Sequence, residues 1–166
     1  MENLEGKFLK AYDKYSNQIF RYIYVRTFDR EIAKELMQDT FEKIWDYMKG
    51  RNPIENLKAF TYKIAKNLII DHSRKKKEIY LGNITFDPDY EKQGFVREME
   101  ILNSRIEFKK LIEKLNELPE KYAEIITLRF IEDMRIEEIA EILSVTENVV
   151  SVRINRGIQK LQKLIN

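Results

Sequence analysis

Apolar residues that return every third or fourth position run through most of this chain, and that spacing constrains its fold more than any other feature. Phe8, Ala11, Tyr12, Tyr15, Ile19, Tyr22 and Ile23 form one such series between Phe8 and Tyr24. Ala33, Leu36, Met37, Thr40, Phe41, Ile44, Trp45 and Met48 form the next. Residues at these steps share one face of an α-helix, whereas a half-buried strand needs alternation at every second position. Turn chemistry agrees, because 5 Gly and 3 Pro in 166 residues are too few for a many-stranded sheet. The expected fold is all-α: two small helical domains joined by a flexible acidic linker.

Boundaries follow from local chemistry. Asp29, after the break at Thr27 and Phe28, is a plausible N-cap for the second helix, and Gly50 ends it. Arg51, Asn52 and Pro53 form a polar loop before a third helix expected from about Ile54 to Ser73, with Ile64, Leu68 and Phe60 toward the core. The first domain, residues 1–77, closes on the basic run Arg74 to Lys77. Residues 78–100 keep no helical or strand period, carry turn signals at Leu81 to Asn83 and Phe86 to Asp89, and are richer in acids than bases. A stretch of that length without periodicity separates domains more often than it crosses one. The second domain, residues 101–166, opens near Ile101 with Ile106, Leu111, Ile112, Leu115 and Leu118 on one face. Pro119 suits the first turn of the helix that carries Tyr122, Ile125, Ile126 and Leu128.

The stretch from Arg135 to Arg156 reads as a helix-turn-helix. Ile139, Ala140 and Leu143 stripe a short first helix, Ser144 to Thr146 make the turn, and Val150 and Ile154 return to the same core. Thr146 is placed to cap the second helix. In this geometry the second helix enters the DNA major groove and its early residues face base edges. From Ser151 onward the only charges are Arg153, Arg156, Lys160 and Lys163, which suits phosphate contact. An ordinary helical hairpin with a basic, solvated face is the bland alternative.

A second basic region carries the net charge that the total of +2 conceals. Between Lys58 and Lys77 seven bases, Lys58, Lys63, Lys66, Arg74, Lys75, Lys76 and Lys77, face the single acid Asp71. Such segregation builds a local field that attracts phosphate. Lys63, Lys66, Asn67, Arg74 and Lys75 can form a polar strip interleaved with aromatics, beside the loop at Asn52 to Asn56. Single-stranded or unstacked nucleic acid suits that surface: cations meet phosphates, ring faces meet extruded bases, and Asn67 offers a donor and an acceptor. A core helix whose lysines merely face water explains the same residues equally well.

Other chemistry is poorly supported. There is no Cys, so disulfides and thiolate metal sites are excluded. His72 is the only His and stands beside the basic run, a surface position rather than that of a general base. Glu137, Glu138 and Glu141 read as a solvated helix face. Neither a metal site nor a cofactor is expected, and the chain is not expected to be an enzyme. The start of the chain lacks the basic and apolar regions of a signal peptide, and no apolar run approaches the ~20 residues of a membrane helix. The expectation is an intracellular protein with no membrane segment.

Together, a helical block ending in Asn67, Asp71 and Arg74 plus basic residues, an acidic linker and a C-terminal helix-turn-helix resemble a bacterial RNA polymerase sigma factor. The small two-domain layout resembles the extracytoplasmic-function group of the sigma-70 family, from about Phe8 to Leu164. The resemblance implies an alternative sigma factor that binds core RNA polymerase through the β′ clamp helices and the β flap. It would recognise the −10 and −35 promoter elements and promote DNA melting, and it would act in the bacterial cytoplasm, with an anti-sigma factor as a further partner. The segment Asp29 to Trp45 is similar to the family's helix that docks on the clamp helices, with Asp29, Ala33, Leu36, Gln38, Asp39, Phe41 and Trp45 on its pattern. Gln38 and Asp39 are the better candidates for contact, and Leu36, Phe41 and Trp45 for structure. Tyr62, Lys63, Lys66, Asn67, Asp71, Arg74 and Lys75 resemble the part that recognises and melts the −10 element, and the loop from Gly50 to Leu57 resembles the pocket for a flipped base. In the helix-turn-helix, Thr146, Glu147, Asn148, Val149, Ser151, Val152, Arg153 and Arg156 fall where the −35 element is read.

The chain departs from the family where Ser151 replaces a basic residue and Val152 a polar one, which removes a contact and offers an apolar group to a thymine methyl. Arg135 stands where a capping Ser is common, so the first helix of the motif is expected to lack its usual cap. Two competing functions remain open at this level: a dimeric helix-turn-helix repressor or activator, and a nucleic-acid enzyme such as a small nuclease or deaminase. The two domains are expected to move independently or to be clamped by a partner protein.

Overall fold

The computed structural model describes residues 3–80 and 105–166, which form seven α-helices and no strand. The acidic linker residues Asp87, Asp89 and Glu91, and the expected domain start at Ile101, lie outside the described residues. Three helices make the N-terminal half: α1 (Leu4–Thr27), α2 (Arg30–Lys49) and α3 (Leu57–Tyr80). The other four make the C-terminal half: α4 (Arg105–Glu117), α5 (Glu120–Ile126), α6 (Ile136–Leu143) and α7 (Glu147–Ile165).

Caps fix the ends of these helices. Asn3 accepts from the Gly6 N–H at 2.7 Å to start α1, and Phe28 ends it in the left-handed conformation with φ 55°. Asp29 accepts from the Ile32 N–H at 3.0 Å and starts α2 at its expected place. The third helix begins at Leu57 rather than Ile54, because Asn56 takes the cap: its side-chain oxygen accepts from the Ala59 N–H at 3.0 Å. It also runs on to Tyr80, into the stretch expected to be linker.

Aromatic packing joins α1 to α2. Phe8 meets Trp45 at 5.1 Å between ring centroids, and Tyr12 meets Phe41 at 4.8 Å, both edge-on. Pairs of this geometry contribute about 0.5–1.5 kcal/mol each beyond the area they bury. The most buried face of α3 is Ala59, Tyr62, Ala65 and Ile69, whereas Phe60, Ile64 and Leu68 are only partly buried beside it. The face differs from the expected one because α3 is shared: it packs on α1 and α2 and also on α6 of the C-terminal half.

The two halves therefore touch directly, and their buried residues form one continuous cluster. In the C-terminal half, Pro119 precedes α5 as its N-terminal flank, and α5 runs into a π-helical turn at Thr127–Ile131. That wider turn closes with the Glu132 N–H donating to the Thr127 carbonyl at 3.0 Å. Gly157 lets α7 cross α5 closely, since a Cβ there would stand 2.9 Å from the δ-methyl of Ile126. Isolated from packing, Gly→Ala in a helix gains about 1 kcal/mol, so the displaced methyl would offset that gain here.

Candidate nucleic-acid and polymerase interface

Four surfaces organise the charged residues: an outward face of α2, a polar strip on α3, the second helix of the helix-turn-helix, and a seam between the halves.

On α2, the core consumes part of the expected docking set. Ala33, Leu36 and Phe41 are buried, Trp45 is half-buried against Phe8, and Asp29 is occupied in capping. Gln38 is exposed and Asp39 half-buried, leaving this polar pair as the part of the set offered outward.

Along α3, Asn67, Asp71, Arg74 and Lys75 are exposed, with Lys63 and Lys66 half-buried. Tyr62 is different: it is fully buried, and its hydroxyl donates to a Glu132 carboxylate oxygen at 2.9 Å. Burial and the neighbouring Glu132 carboxylate push its ionisation well above the ordinary tyrosine value. In this arrangement it presents no surface to nucleic acid and belongs to the seam. His72 is half-buried, and burial lowers its pKa, so it stays neutral and carries no charge into the basic strip.

The helix-turn-helix is built as the residue pattern requires. Ser144 turns the chain at φ 53°, the Val145 N–H donates back to the Ala140 carbonyl at 3.0 Å, and Thr146 accepts from the Val149 N–H at 3.2 Å. Ile139, Ile142, Leu143, Val150 and Ile154 are buried between the two helices and their supports. As expected, the Arg135 side chain does not cap the first helix. Glu138, at its third position, reaches back to accept from the Arg135 backbone N–H at 2.9 Å, which is the carboxylate half of a capping box. That bond, followed by the hydrogen bond from Lys58, holds the Glu138 carboxyl below the usual carboxylate range. At the start of α7, Thr146, Glu147, Asn148 and Val152 are exposed, while Val149, Ser151 and Arg153 are half-buried. Arg153, Arg156 and Lys163 make no ion pair among the described residues, and Lys160 lies over the Tyr122 ring at 5.6 Å.

The seam was not visible in the residue pattern. Glu132, set by the π-helical turn, is buried with a side chain 1% exposed. It accepts two hydrogen bonds from the Arg21 guanidinium of α1, at 2.9 and 2.8 Å, besides the one from Tyr62. A charge taken out of water is tolerated only when satisfied in this way. Nearby, Asn116 donates to the Val25 carbonyl at 2.8 Å, and Glu124 accepts from Tyr22 at 3.5 Å. Burial raises the Glu124 pKa, with Lys66 the largest opposing influence. At the other end Lys58 pairs with Glu138 at 3.0 Å, and Asn56 donates to Glu141 at 2.8 Å. Two acids that read as solvated helix face therefore hold the start of α3.

Comparison with known proteins identifies the family of both halves. The Sigma-70 region 2 family matches residues 11–79, and the Sigma-70 region 4 family matches residues 108–161. RNA polymerase sigma factor SigV of Bacillus subtilis is 32% identical over 135 residues, which cover 81% of this chain and 76% of that protein. The ECF RNA polymerase sigma factor SigM of the same organism is 25% identical over 158 residues, 95% of this chain and 94% of that protein. The fold also matches the sigma factor RpoE of Bartonella quintana, solved in complex with the anti-sigma factor NepR, at a TM-score of 0.75 and 19% identity over 96% of both chains. This chain belongs to the sigma-70 family of RNA polymerase sigma factors, in its extracytoplasmic-function group. It is an alternative sigma factor for transcription initiation, a partner of core polymerase and promoter DNA, and not a dimeric repressor. No described helix is long and apolar enough to cross a membrane.

Proposed function

We propose that Gln38 and Asp39 on α2 are the contact to core polymerase, at the β′ clamp helices, and that the C-terminal half adds a contact to the β flap. The −10 element is read by Asn67 together with Lys63, Lys66 and Asp71, while Arg74 and Lys75 hold backbone phosphate. The −35 element is read by Glu147, Asn148, Ser151 and Val152 at the opening of α7, steadied by Arg153 and Arg156. The observation that carries this assignment is the unpaired basic face of α7 beside an exposed, capped helix start. Residues 1–77 and 101–166 would serve as the two reading domains, with 78–100 between them. The chain directs the polymerase's chemistry in the cytoplasm and catalyses nothing itself, with no cofactor.

The direct packing of the halves supports a regulatory corollary. In the free protein Asn56 and Lys58, at the edge of the −10 loop, are held by acids of α6, so promoter reading requires core polymerase to separate the halves. An anti-sigma factor is the proposed partner that would keep them from polymerase. It is supported by solved relatives of the same fold held in such complexes, RpoE with NepR and CnrH with the cytosolic domain of CnrY. In vitro transcription with purified core polymerase on a genomic library, with start-site mapping, tests the whole assignment. Starts that share one −35 and one −10 sequence, and that vanish without this chain, are expected; starts independent of the chain would overturn it.

A further inference from the structure

Where α1 ends beside α3, a cleft of about 410 Å³ opens between the two halves of the chain. That size lies within the range of sites that hold small molecules. Ile69 of α3, with Leu118 and Pro119 from the turn before α5, gives it an apolar wall. Arg26 of α1, His72, Ser73 and Lys76 of α3, and Asn116 of α4 supply its polar lining. Residues 69, 72, 73 and 76 share one face of their helix. Arg26 is the unusual member. Its side chain is only 8% exposed, yet among the described residues its guanidinium has two partners, the Asn116 side-chain oxygen at 3.3 Å and the Glu120 carboxylate at 3.7 Å. The second distance is too long for a hydrogen bond, and Glu120 is half exposed at the rim. Five N–H donors of a buried guanidinium are ordinarily answered more fully, as Glu132 answers Arg21 with two short bonds. Asn116 is fixed, because its amide donates to the Val25 carbonyl at 2.8 Å. Among the described residues the Ser73 hydroxyl makes no hydrogen bond and the exposed Lys76 no ion pair.

We propose that this cleft binds a small phosphate-bearing metabolite, with Arg26 and Lys76 on the phosphate, Ser73 and His72 hydrogen-bonded to it, and the rest of the molecule against Ile69, Leu118 and Pro119. A phosphate displaces Glu120 from Arg26 and completes the guanidinium's bonds with charge-assisted ones. Promoter phosphate does not account for the site. DNA is read once the halves part, and a parted α3 loses Asn116 and the wall at Leu118 and Pro119. Because both halves line the cleft, a ligand there binds only the closed chain and holds it closed. The site stands apart from the promoter assignment; its effect on polymerase rests on the reading that core separates the halves.

The test uses the full chain and inorganic pyrophosphate, in buffer free of divalent metal, with sodium chloride at matched ionic strength as the control. His72 is the only histidine, so its ring-proton signal reports on the cleft alone. Burial and then Lys76 hold its pKa down, with Lys75 adding to them and Glu35 and Asp29 opposing. An anion beside the ring favours its charged form, so its titration moves to higher pH. Pyrophosphate should shift the His72 signal saturably, and chloride should not. Arg26→Gln should weaken that binding at least about tenfold, the scale of one charge-assisted hydrogen bond. Lys76→Gln, at an exposed position that the fold does not need, should weaken it about fivefold. Arg74→Gln makes the same change of charge on α3 outside the cleft and should leave it within about twofold. A His72 signal that does not move, a shift that chloride reproduces, or equal losses from Lys76→Gln and Arg74→Gln would overturn the site. At about ten times its Kd, a ligand of the closed chain alone lowers affinity for core about elevenfold. Saturable binding in the cleft with unchanged affinity for core would support the site and overturn instead the reading that core parts the halves.

Discussion

The seam and the outer face of α7 treat charge in opposite ways. Glu132 is buried and saturated, with two bonds from Arg21 and one from Tyr62. Arg153, Arg156 and Lys163 stand on the surface without an ion pair. The contrast separates two uses of the same side chains. A charge that holds structure is desolvated and must be answered within the chain. One that waits for phosphate keeps its water until DNA and released counterions replace it. Sequence alone gives both as charged residues on helical segments, and only burial tells them apart.

The largest effect should come from breaking the seam. Glu132→Ala leaves Arg21 and Tyr62 facing a buried gap. Removal of one member of a buried pair costs about 3–5 kcal/mol, and the half-exposed Arg21 places this case near 3. Hydrogen exchange around Tyr62 and urea unfolding should both report that loss. Arg156→Ala should leave stability within about 0.5 kcal/mol, as surface substitutions usually do. Equal losses for the two variants would erase the contrast.

On DNA the order reverses. Arg153→Ala and Arg156→Ala together should weaken binding of holoenzyme to every −35 sequence and reduce the salt slope by about 2, one unit for each phosphate contact. A change in base preference instead of a uniform loss would move these residues from positioning to direct readout. Core binding should respond to a different pair. Gln38→Ala with Asp39→Ala should weaken affinity for core about tenfold with helical content unchanged, the scale of a small interfacial hot spot. Unchanged affinity, measured by titration of labelled chain with core, would remove α2 from the interface.

The smallest effect concerns acid. The Glu138 carboxyl is held below its ordinary range, first by the Arg135 backbone N–H and then by Lys58. A depressed carboxylate contributes stability that is complete above its unfolded pKa, about 4.3, and is lost as pH falls through the lower folded value. Glu124 runs the other way, because burial raises its pKa and protonation relieves the cost of its charge. Unfolding of Glu138→Gln should therefore fall below wild type at neutral pH and converge on it in acid. A gap that persists at low pH would mean that the carboxylate's charge is not what stabilises the end of α6.

Much of this was legible in the residues, and the rest was not for physical reasons. Helical spacing, Asp29, Thr146 and the turn at Ser144 are local signals, and each appears where the pattern placed it. Tyr62 reads as part of the nucleic-acid surface because an aromatic beside lysines looks the same whether its ring is exposed or buried; in this structure it is buried against Glu132. Arg135 offers no side-chain cap, as its residue type implies, but the reach of Glu138 back to the Arg135 N–H links two residues three apart and carried no signal of its own. Glu132 gave no periodic signal at all. Its partners, Arg21 and Tyr62, come from two other helices, and a seam of that kind is set by how helices stack rather than by any one segment.

The account's central claim is that the halves restrain one another in the free protein and read a promoter only when core polymerase holds them apart. A promoter-binding titration of the full chain, with and without core at one fixed salt concentration, tests it most directly. Weak, sequence-indifferent binding by the chain alone and specific binding with core are the predicted results. Tight, sequence-specific binding by the isolated chain would contradict the claim and show that the seam between Glu132, Arg21 and Tyr62 restrains nothing.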